Sequence, residues 1–391
     1  MDPDPGKDMH FARAEIDLLN LAHNIAIIKS YRSRPETKIM AVVKADAYGH
    51  GAIEISREAI KSGVDALGVA FVPEGVLLRE EGIDIPVYIL GECPPLVVED
   101  AIKNNLILTV NSLDSAKVYS MTARKMNLKA RININIDTGM NRLGTNWRNI
   151  ADIAAIRKIG NLNSDGIFTH FACASEKDPS YTMMQIERFL ETKKALTASG
   201  ISFNNVHFAN SAAFFRFEET HLDMVRIGIS MYGLNPYSKG WKEWLPEKIR
   251  KVVSDLRPVL SLKSQISFIK KLASREAVSY CGTFRTSRDS IIATIPVGYG
   301  DGYSRLLSNK SKVLIKGMEA PVIGNITMDH FMVDITDISK RARIMPGDEV
   351  VVIGVSGKKR ISAEDIAEIL GTINYEAVCM IGKRIPRIYK K

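Results

Sequence analysis

The sequence is poor in the features that mark a chain for a membrane, a nucleic acid or an oxidising compartment. Its 391 residues contain four cysteines, Cys93, Cys173, Cys281 and Cys379, far apart and with no CxxC pair. That spacing argues against a disulfide or zinc framework and reads as reduced thiols, with no metal expected. No apolar run approaches the roughly 20 residues needed to span a bilayer. Residues 1–17, MDPDPGKDMHFARAEID, are acidic and polar, the opposite of a secretory leader, so the expected location is cytoplasmic. The net charge is +9, yet there is no basic block and no basic run interleaved with aromatics. Neither nucleic acid nor membrane is therefore an expected partner. The surplus positive charge suits an anionic substrate or a phosphate instead. The remainder, 46% hydrophobic and 25% charged, is ordinary for a globular protein large enough to hold two domains.

What is present is a rhythm. A short strand is expected at Phe11–Asp17, then an amphipathic helix through roughly Lys29. From Lys38 apolar runs alternate with helical stretches. The strands are expected at Ile39–Val43, Ala66–Ala70, Pro86–Leu90, Leu106–Val110, Ala130–Asp137, Gly166–Ala172, Asn205–Asn210 and Met224–Ile229. Helices are expected between them at Ile53–Lys61, Glu74–Glu81, Leu96–Asn104, Ser115–Met126, Ile150–Ile159 and Tyr181–Ser199, many closed by a glycine. About eight strand–helix units in a row predict an α/β fold, a (β/α)8 TIM-type barrel, over residues 11–252. A doubly wound open sheet is the competitor, but it lacks such even repetition.

The rhythm stops near Trp241–Arg250, and after Arg257-Pro258 short alternating strands take over. They are expected at Val259–Ile266, Ser290–Pro296, Lys312–Ile315, Pro321–Ile323, Met332–Asp334 and Glu349–Ile353. With one helix, Ala363–Leu370, N-capped by Ser362, they make residues 253–391 a C-terminal mainly-β domain. The first strand, 11–17, is expected to pair with it.

A barrel gathers its functional groups at the carboxyl ends of its strands. The stretch Ala41–Gly51, AVVKADAYGHG, ends its strand on Lys44. A desolvated lysine there is a nucleophile or Schiff-base former; the plain alternative is a strand-end lysine whose ammonium reaches for water. The same edge collects Tyr48, Asp137 with Arg142, His170, His207 with Asn210 and Ser211, and Arg226 with Gly228. Each has a plain reading too: His207 as a hydrogen-bonded structural histidine, Asn210-Ser211 as a helix N-cap, Arg226 as a surface ion pair. Two turns late in the barrel, at Asn210–Ala213 and Gly228–Ser230, lie where barrel enzymes often bind phosphate. A Schiff-base lysine beside a phosphate site points to pyridoxal 5′-phosphate (PLP), which needs both.

Nine stretches then bear a family resemblance. AVVKADAYGHG, DTGMNRLG at Asp137–Gly144, FTHFA at Phe168–Ala172, HFANSAA at His207–Ala213 and RIGISMYG at Arg226–Gly233 resemble alanine racemase. So do VSYCGTF at Val278–Phe284, VGYGDGYSR at Val297–Arg305, IGNITMDH at Ile323–His330 and CMIGKRIPR at Cys379–Arg387. The order is the family's and spans both domains. The resemblance implies a PLP barrel followed by a β-domain, working as a homodimer with active sites shared across the interface. Lys44 would hold PLP and act as base on one face of the substrate Cα, with Tyr280 the base on the other. The tyrosine's acidity would be raised by nearby cations, Arg142 and His170. Arg142 and the Met328 backbone N–H would bind the substrate carboxylate, and Arg226 the pyridine nitrogen. An arginine there cannot donate its proton to the ring, which favours racemisation over PLP chemistries that need a protonated pyridine. Tyr48, Asn210, Ser211, Gly228 and Ile229 would complete the cofactor site, with His170 against the ring. Tyr299 and Asp329 would narrow the entrance from the partner chain.

The sequence departs from that pattern at several places. Asn135 stands where many members carry a carbamylated lysine, and a bound anion such as chloride is the expected substitute. Asn141 and Cys281 replace frequent glycines, and Lys383 replaces a phosphate-binding tyrosine of some members. The expected activity is interconversion of L- and D-alanine, supplying D-alanine for peptidoglycan. The alternatives are a broader racemase acting on serine, since an apolar pocket discriminates one added group by only about 1–3 kcal/mol, and a non-catalytic PLP-binding protein. The latter's relatives resemble the barrel alone.

Overall fold

The computed structural model describes residues 11–391, so the leader reading of residues 1–10 lies outside the described residues. The chain forms two compact units. One comprises Asn20–Ala47 and Ala52–Arg257; the other comprises the described part of Met1–Leu19 together with Tyr48–Gly51 and Pro258–Lys391. The boundary expected at 252/253 thus falls at Arg257/Pro258. The reason is a helix, Glu247–Asp255, whose Ile249 and Val253 are buried one turn apart. The sequence reading ended the helical rhythm there, because two apolar residues among charged ones make a weak stripe.

In the first unit the eight barrel strands are Lys38–Val42, Ala66–Val69, Val87–Ile89, Leu108–Val110, Ala130–Asp137, Leu162–Phe168, Val206–His207 and Met224–Ile227. Neighbours run parallel, and the last pairs with the first, Arg226 opposite Met40. The two remaining seams are closed by Ile89 N–H donating to Ile107 O at 2.9 Å and Arg226 N–H donating to Ala209 O at 2.9 Å. Every residue of Ala66–Val69, Val87–Ile89 and Leu108–Val110 is buried, as strands covered on both faces require. Met40, Ala66, Tyr88, Ile107 and Met224 pack as one cluster within the unit. The sixth strand begins and ends four residues before its expected limits, which releases Thr169 and His170 into the loop beyond it.

In the second unit Arg13–Asp17 pairs antiparallel with Leu260–Gln265 and parallel with Arg387–Lys390. The sheet continues through Glu349–Ser356, Lys312–Ile315, Met318–Ile323, Phe331–Asp334, Ser290–Ile295 and Phe268–Leu272. Ser362 caps Ala363–Leu370 by accepting from Asp365 N–H at 3.1 Å. Two further helices, Thr336–Ser339 and Asn374–Cys379, were not expected from the sequence; they are four and six residues long, and neither has a side-chain cap to announce it. The segment Tyr48–Gly51 belongs to this unit because its glycines admit no side chain. A Cβ on Gly49 would lie 2.6 Å from Val378 O, and one on Gly51 1.8 Å from the Tyr389 hydroxyl.

Candidate active site

Lys44 leaves the first barrel strand into a turn of left-handed helix. Ala45, Asp46, Ala47 and Tyr48 all have φ of 53–54°, and Gly49 closes the run at 79°. Such backbone costs about 1–2 kcal/mol per L-residue, so it persists only where neighbours hold it. Glu74 is one holder: its carboxylate accepts from Ala45 N–H at 2.6 Å, and from Ala70 N–H at 2.7 Å. Asp46 is another, accepting from Ala52 N–H at 2.8 Å. Lys44 itself is half-buried, while Tyr48 is buried with its ring 6.0 Å from that of Tyr375.

Arg226, expected at a strand end, is 3% exposed. Its terminal nitrogens donate to Thr169 O at 2.7 Å, His207 O at 3.1 Å, Phe208 O at 3.3 Å and His207 Nδ1 at 2.7 Å. Nδ1 of His170 lies 3.2 Å away. None of these partners is an anion, and burial pulls the guanidinium down to about 9. Its Nε–H has no partner among the described residues. The simple surface ion pair is therefore excluded.

His207 is the structural histidine its plain reading proposed. Its ring stacks on Phe168 at 5.2 Å and 3°. Because Nδ1 accepts from Arg226, a neutral ring must carry its proton on Nε2. That proton needs an acceptor, and the atom 2.9 Å away belongs to the Asn133 carboxamide. The amide therefore turns its oxygen to His207, an assignment from the hydrogen-bond pattern. Burial and then Arg226 hold His207 well below the usual imidazole value. His170 is likewise held down, by burial first and then by Arg226, Arg142 and Lys44. This corrects one expectation: His170 is neutral among three cations and does not serve as a cation itself.

Asn210 is the N-cap of Ser211–Arg216, its oxygen accepting from Ala213 N–H at 3.0 Å. Ser211 Oγ accepts from Gly228 N–H at 3.0 Å, tying the two candidate phosphate turns together; Ile229 follows, buried. Arg142 is exposed on the loop after Asp137, whose carboxylate accepts from Gly139 and Asn141 N–H at 2.9 and 3.0 Å.

Side chains that the sequence reading did not single out complete this edge: Asn133, Asn111 and Gln185. Gln185 holds the loop of His170, donating to His170 O at 3.0 Å and accepting from Ala172 N–H at 2.9 Å. One signal was available. In Ala130–Asp137 the residues Ile132, Ile134 and Ile136 alternate with Arg131, Asn133, Asn135 and Asp137, so one face of an interior strand is polar.

In the second unit one loop gathers four candidates. Asn325 Nδ2 donates to Tyr280 O at 2.8 Å, Tyr299 N–H donates to Thr327 O at 3.0 Å, and Gly300 N–H to Met328 O at 2.9 Å. Asp329 accepts from Arg384 at 2.9 Å. Tyr280, at 71% exposed, and Met328, at 53%, are large side chains left open on that unit. Lys383 is exposed, and all four cysteines are free thiols.

Comparison with known proteins follows the same division. Residues 16–236 match the alanine racemase N-terminal domain and residues 259–389 the alanine racemase C-terminal domain. An alanine racemase of Clostridium novyi is 45% identical over 380 residues, 97% of this chain and 95% of that protein. The solved alanine racemase of Clostridium difficile superposes with a TM-score of 0.90 at 38% identity, over 98% of this chain and 97% of that one. One from Bacillus anthracis with bound L-Ala-P gives 0.89 at 35% identity, over 98% and 95%. Two matched domains and near-complete coverage place this chain in the alanine racemase family.

Proposed function

We propose that the protein is a PLP-dependent, cytoplasmic homodimer that interconverts L- and D-alanine by two bases, supplying D-alanine for peptidoglycan. The observation that carries the reading is Arg226: a buried guanidinium anchored wholly on neutral groups, with Nε–H left to donate. A pyridine nitrogen is a neutral acceptor of the kind such a donor lacks, so the residues fit the cofactor. Lys44 would hold it, Arg226 would meet the ring nitrogen, His170 would lie against the ring, and Tyr48, Ser211, Gly228 and Ile229 would bind the phosphate. Asn210 would support that set from its capping position.

When bound, PLP supplies the electron sink that makes the substrate Cα–H acidic. The chain's own groups do the rest. The Lys44 amine takes or returns the Cα proton on one face, and the partner subunit's Tyr280 does so on the other. Arg142 and the partner subunit's Met328 N–H fix the substrate carboxylate, so the Cα–H bond meets both bases in line. The partner subunit's Tyr299 and the partner subunit's Asp329 narrow the entrance, which favours alanine over serine. Neutral His170 adds no charge among three cations, and a neutral His207 holds Arg226 without lowering its charge.

The test is purified protein with PLP and L-alanine, following D-alanine, with serine in parallel. Lys44→Ala should lose the visible cofactor absorbance, and retention of that band ends the assignment. Tyr280→Phe should slow proton removal from L-alanine far more than from D-alanine; equal, modest effects in both directions would sink the pairing.

A further inference from the structure

The left-handed turn after Lys44 is strained, and its far end needs a holder as much as its near end does. A helical turn leaves its last carbonyls without partners of its own. Here those carbonyls belong to Tyr48 and Gly49. Tyr48 O lies 2.9 Å from His50 Nδ1, and Gly49 O accepts from Arg387 Nε at 3.0 Å.

Arg387 reaches Gly49 from a firm base. It opens the strand Arg387–Lys390, and its strand partner Ala14 donates N–H to Pro386 O at 2.9 Å. NH1 of Arg387 donates to Gly382 O and Ile385 O, both at 2.6 Å, and NH2 donates to Ile381 O at 2.7 Å. The loop of residues 381–385 therefore closes round the guanidinium, and Gly382 N–H donates onward to Asp301 O at 2.8 Å. An arginine fork with donors on three nitrogens serves Gly49 and that loop at once; the point charge of a lysine does not. All these contacts lie within the second unit, to which Tyr48–Gly51 belongs.

We infer that Arg387 is a positioning residue for Tyr48, acting through the Gly49 carbonyl. It stops the strained turn from unwinding at Tyr48 and so holds the phenol where the cofactor phosphate is bound. The inference rests on the reading above that Tyr48 binds that phosphate. Its consequence is selective: losing Arg387 weakens the hold on the phosphate and leaves the hold on the ring alone.

Full-length protein stripped of cofactor and titrated with PLP, then with pyridoxal, which lacks the phosphate, tests it through the visible cofactor band. Arg387→Met and Arg387→Lys should each raise the Kd for PLP about tenfold, the worth of a charge-assisted hydrogen bond. The Kd for pyridoxal should stay within about twofold of wild type, since the tenfold loss belongs to the phosphate contact alone. Arg79→Met is the control: that guanidinium also donates to backbone carbonyls, of Asn104 at 3.1 Å, Ile85 at 2.9 Å and Ile83, but beside the amino end of Val87–Ile89. It should move neither constant. Tyr48→Phe should itself weaken PLP, and adding Arg387→Met should then cost less than about twofold more, because both act on one contact. Wild-type PLP affinity in either Arg387 variant overturns the inference. So does an equal loss for PLP and pyridoxal, which marks general loosening, or losses that multiply in the double variant. Failure of the underlying reading looks different: a wild type that binds no PLP, or a Tyr48→Phe protein with wild-type PLP affinity.

Discussion

A single imidazole shows how little room the barrel leaves for charge. His207 accepts from a buried guanidinium on one nitrogen and donates to Asn133 on the other, so its protonation would set a second cation 2.7 Å from Arg226 NH1. Burial first, then Arg226, lowers its folded pKa, and burial with three neighbouring cations does the same at His170. A histidine whose folded pKa lies below its unfolded value binds fewer protons folded than unfolded. The stability it contributes is therefore complete above about 6.5 and is lost as pH falls through the lowered values. Urea midpoints should rise with pH up to that point. Replacing His207 with phenylalanine keeps the stack on Phe168 but strips an acceptor from Arg226. We expect it to cost about 2–3 kcal/mol, the penalty of a buried charged donor left unpaired, and to flatten the acid limb of the urea profile. A variant with an unchanged midpoint and slope would show that Arg226 does not depend on this ring.

At the scale of elements the left-handed turn after Lys44 was the hardest to foresee. Ala, Asp, Ala and Tyr give no local warning of positive φ, and only Gly49 and Gly51 hinted at a special backbone. The constraint is partly tertiary: Asp46 reaches Ala52 N–H close by, but Glu74 holds Ala45 N–H from far along the chain, outside any local window. By contrast the eight strand runs were legible because burial on both faces writes itself as unbroken apolar sequence, and Ser362 announced its helix by the capping pattern. Lys44, Arg142 and Arg226 were legible at strand ends; Asn133 and Gln185 were not, because each acts through a hydrogen bond to a separate element of the fold. The turn yields a reversal of sign. Ala45 is exposed, so Ala45→Gly loses no packing and relieves about 1–2 kcal/mol of left-handed strain, against about 0.5–1 kcal/mol of added chain entropy. Thermal unfolding should show it neutral to stabilising by up to about 1.5 kcal/mol. Ala151→Gly, exposed in the right-handed helix Ile150–Lys158, should instead destabilise by about 0.5–1 kcal/mol. If both changes destabilise equally, the turn is not strained.

Across the molecule as a whole, the first and last described strands meet at one buried carboxylate. Glu15, 8% exposed, sits on the strand that pairs with both Leu260–Gln265 and Arg387–Lys390, and it accepts from Arg13 at 2.9 Å, Lys263 at 3.1 Å and Lys390 at 2.5 Å. Burial alone would raise its pKa; the hydrogen bonds from Lys390, Lys263 and Arg13 outweigh that and bring it to about 2. A carboxylate depressed in this way stabilises the fold above its unfolded value of about 4.5, and the contribution is lost as pH falls toward 2. The partners should not count equally. Lys390 makes the shorter contact but its side chain is 52% exposed, against 18% for Lys263, and solvent screens an exposed pair. Lys263→Met should therefore cost about 1–2 kcal/mol and Lys390→Met under about 1 kcal/mol. Lys263 also reaches Glu349 at 3.4 Å, so the double variants with Glu15→Gln are needed to isolate each pair. Glu15→Gln should lower stability at pH 7 by about 2 kcal/mol and remove part of the wild-type loss between pH 4.5 and 2. An acid limb identical in the two proteins would assign that loss to other carboxylates, and a larger coupling for Lys390 than for Lys263 would show that contact length outweighs screening at this site.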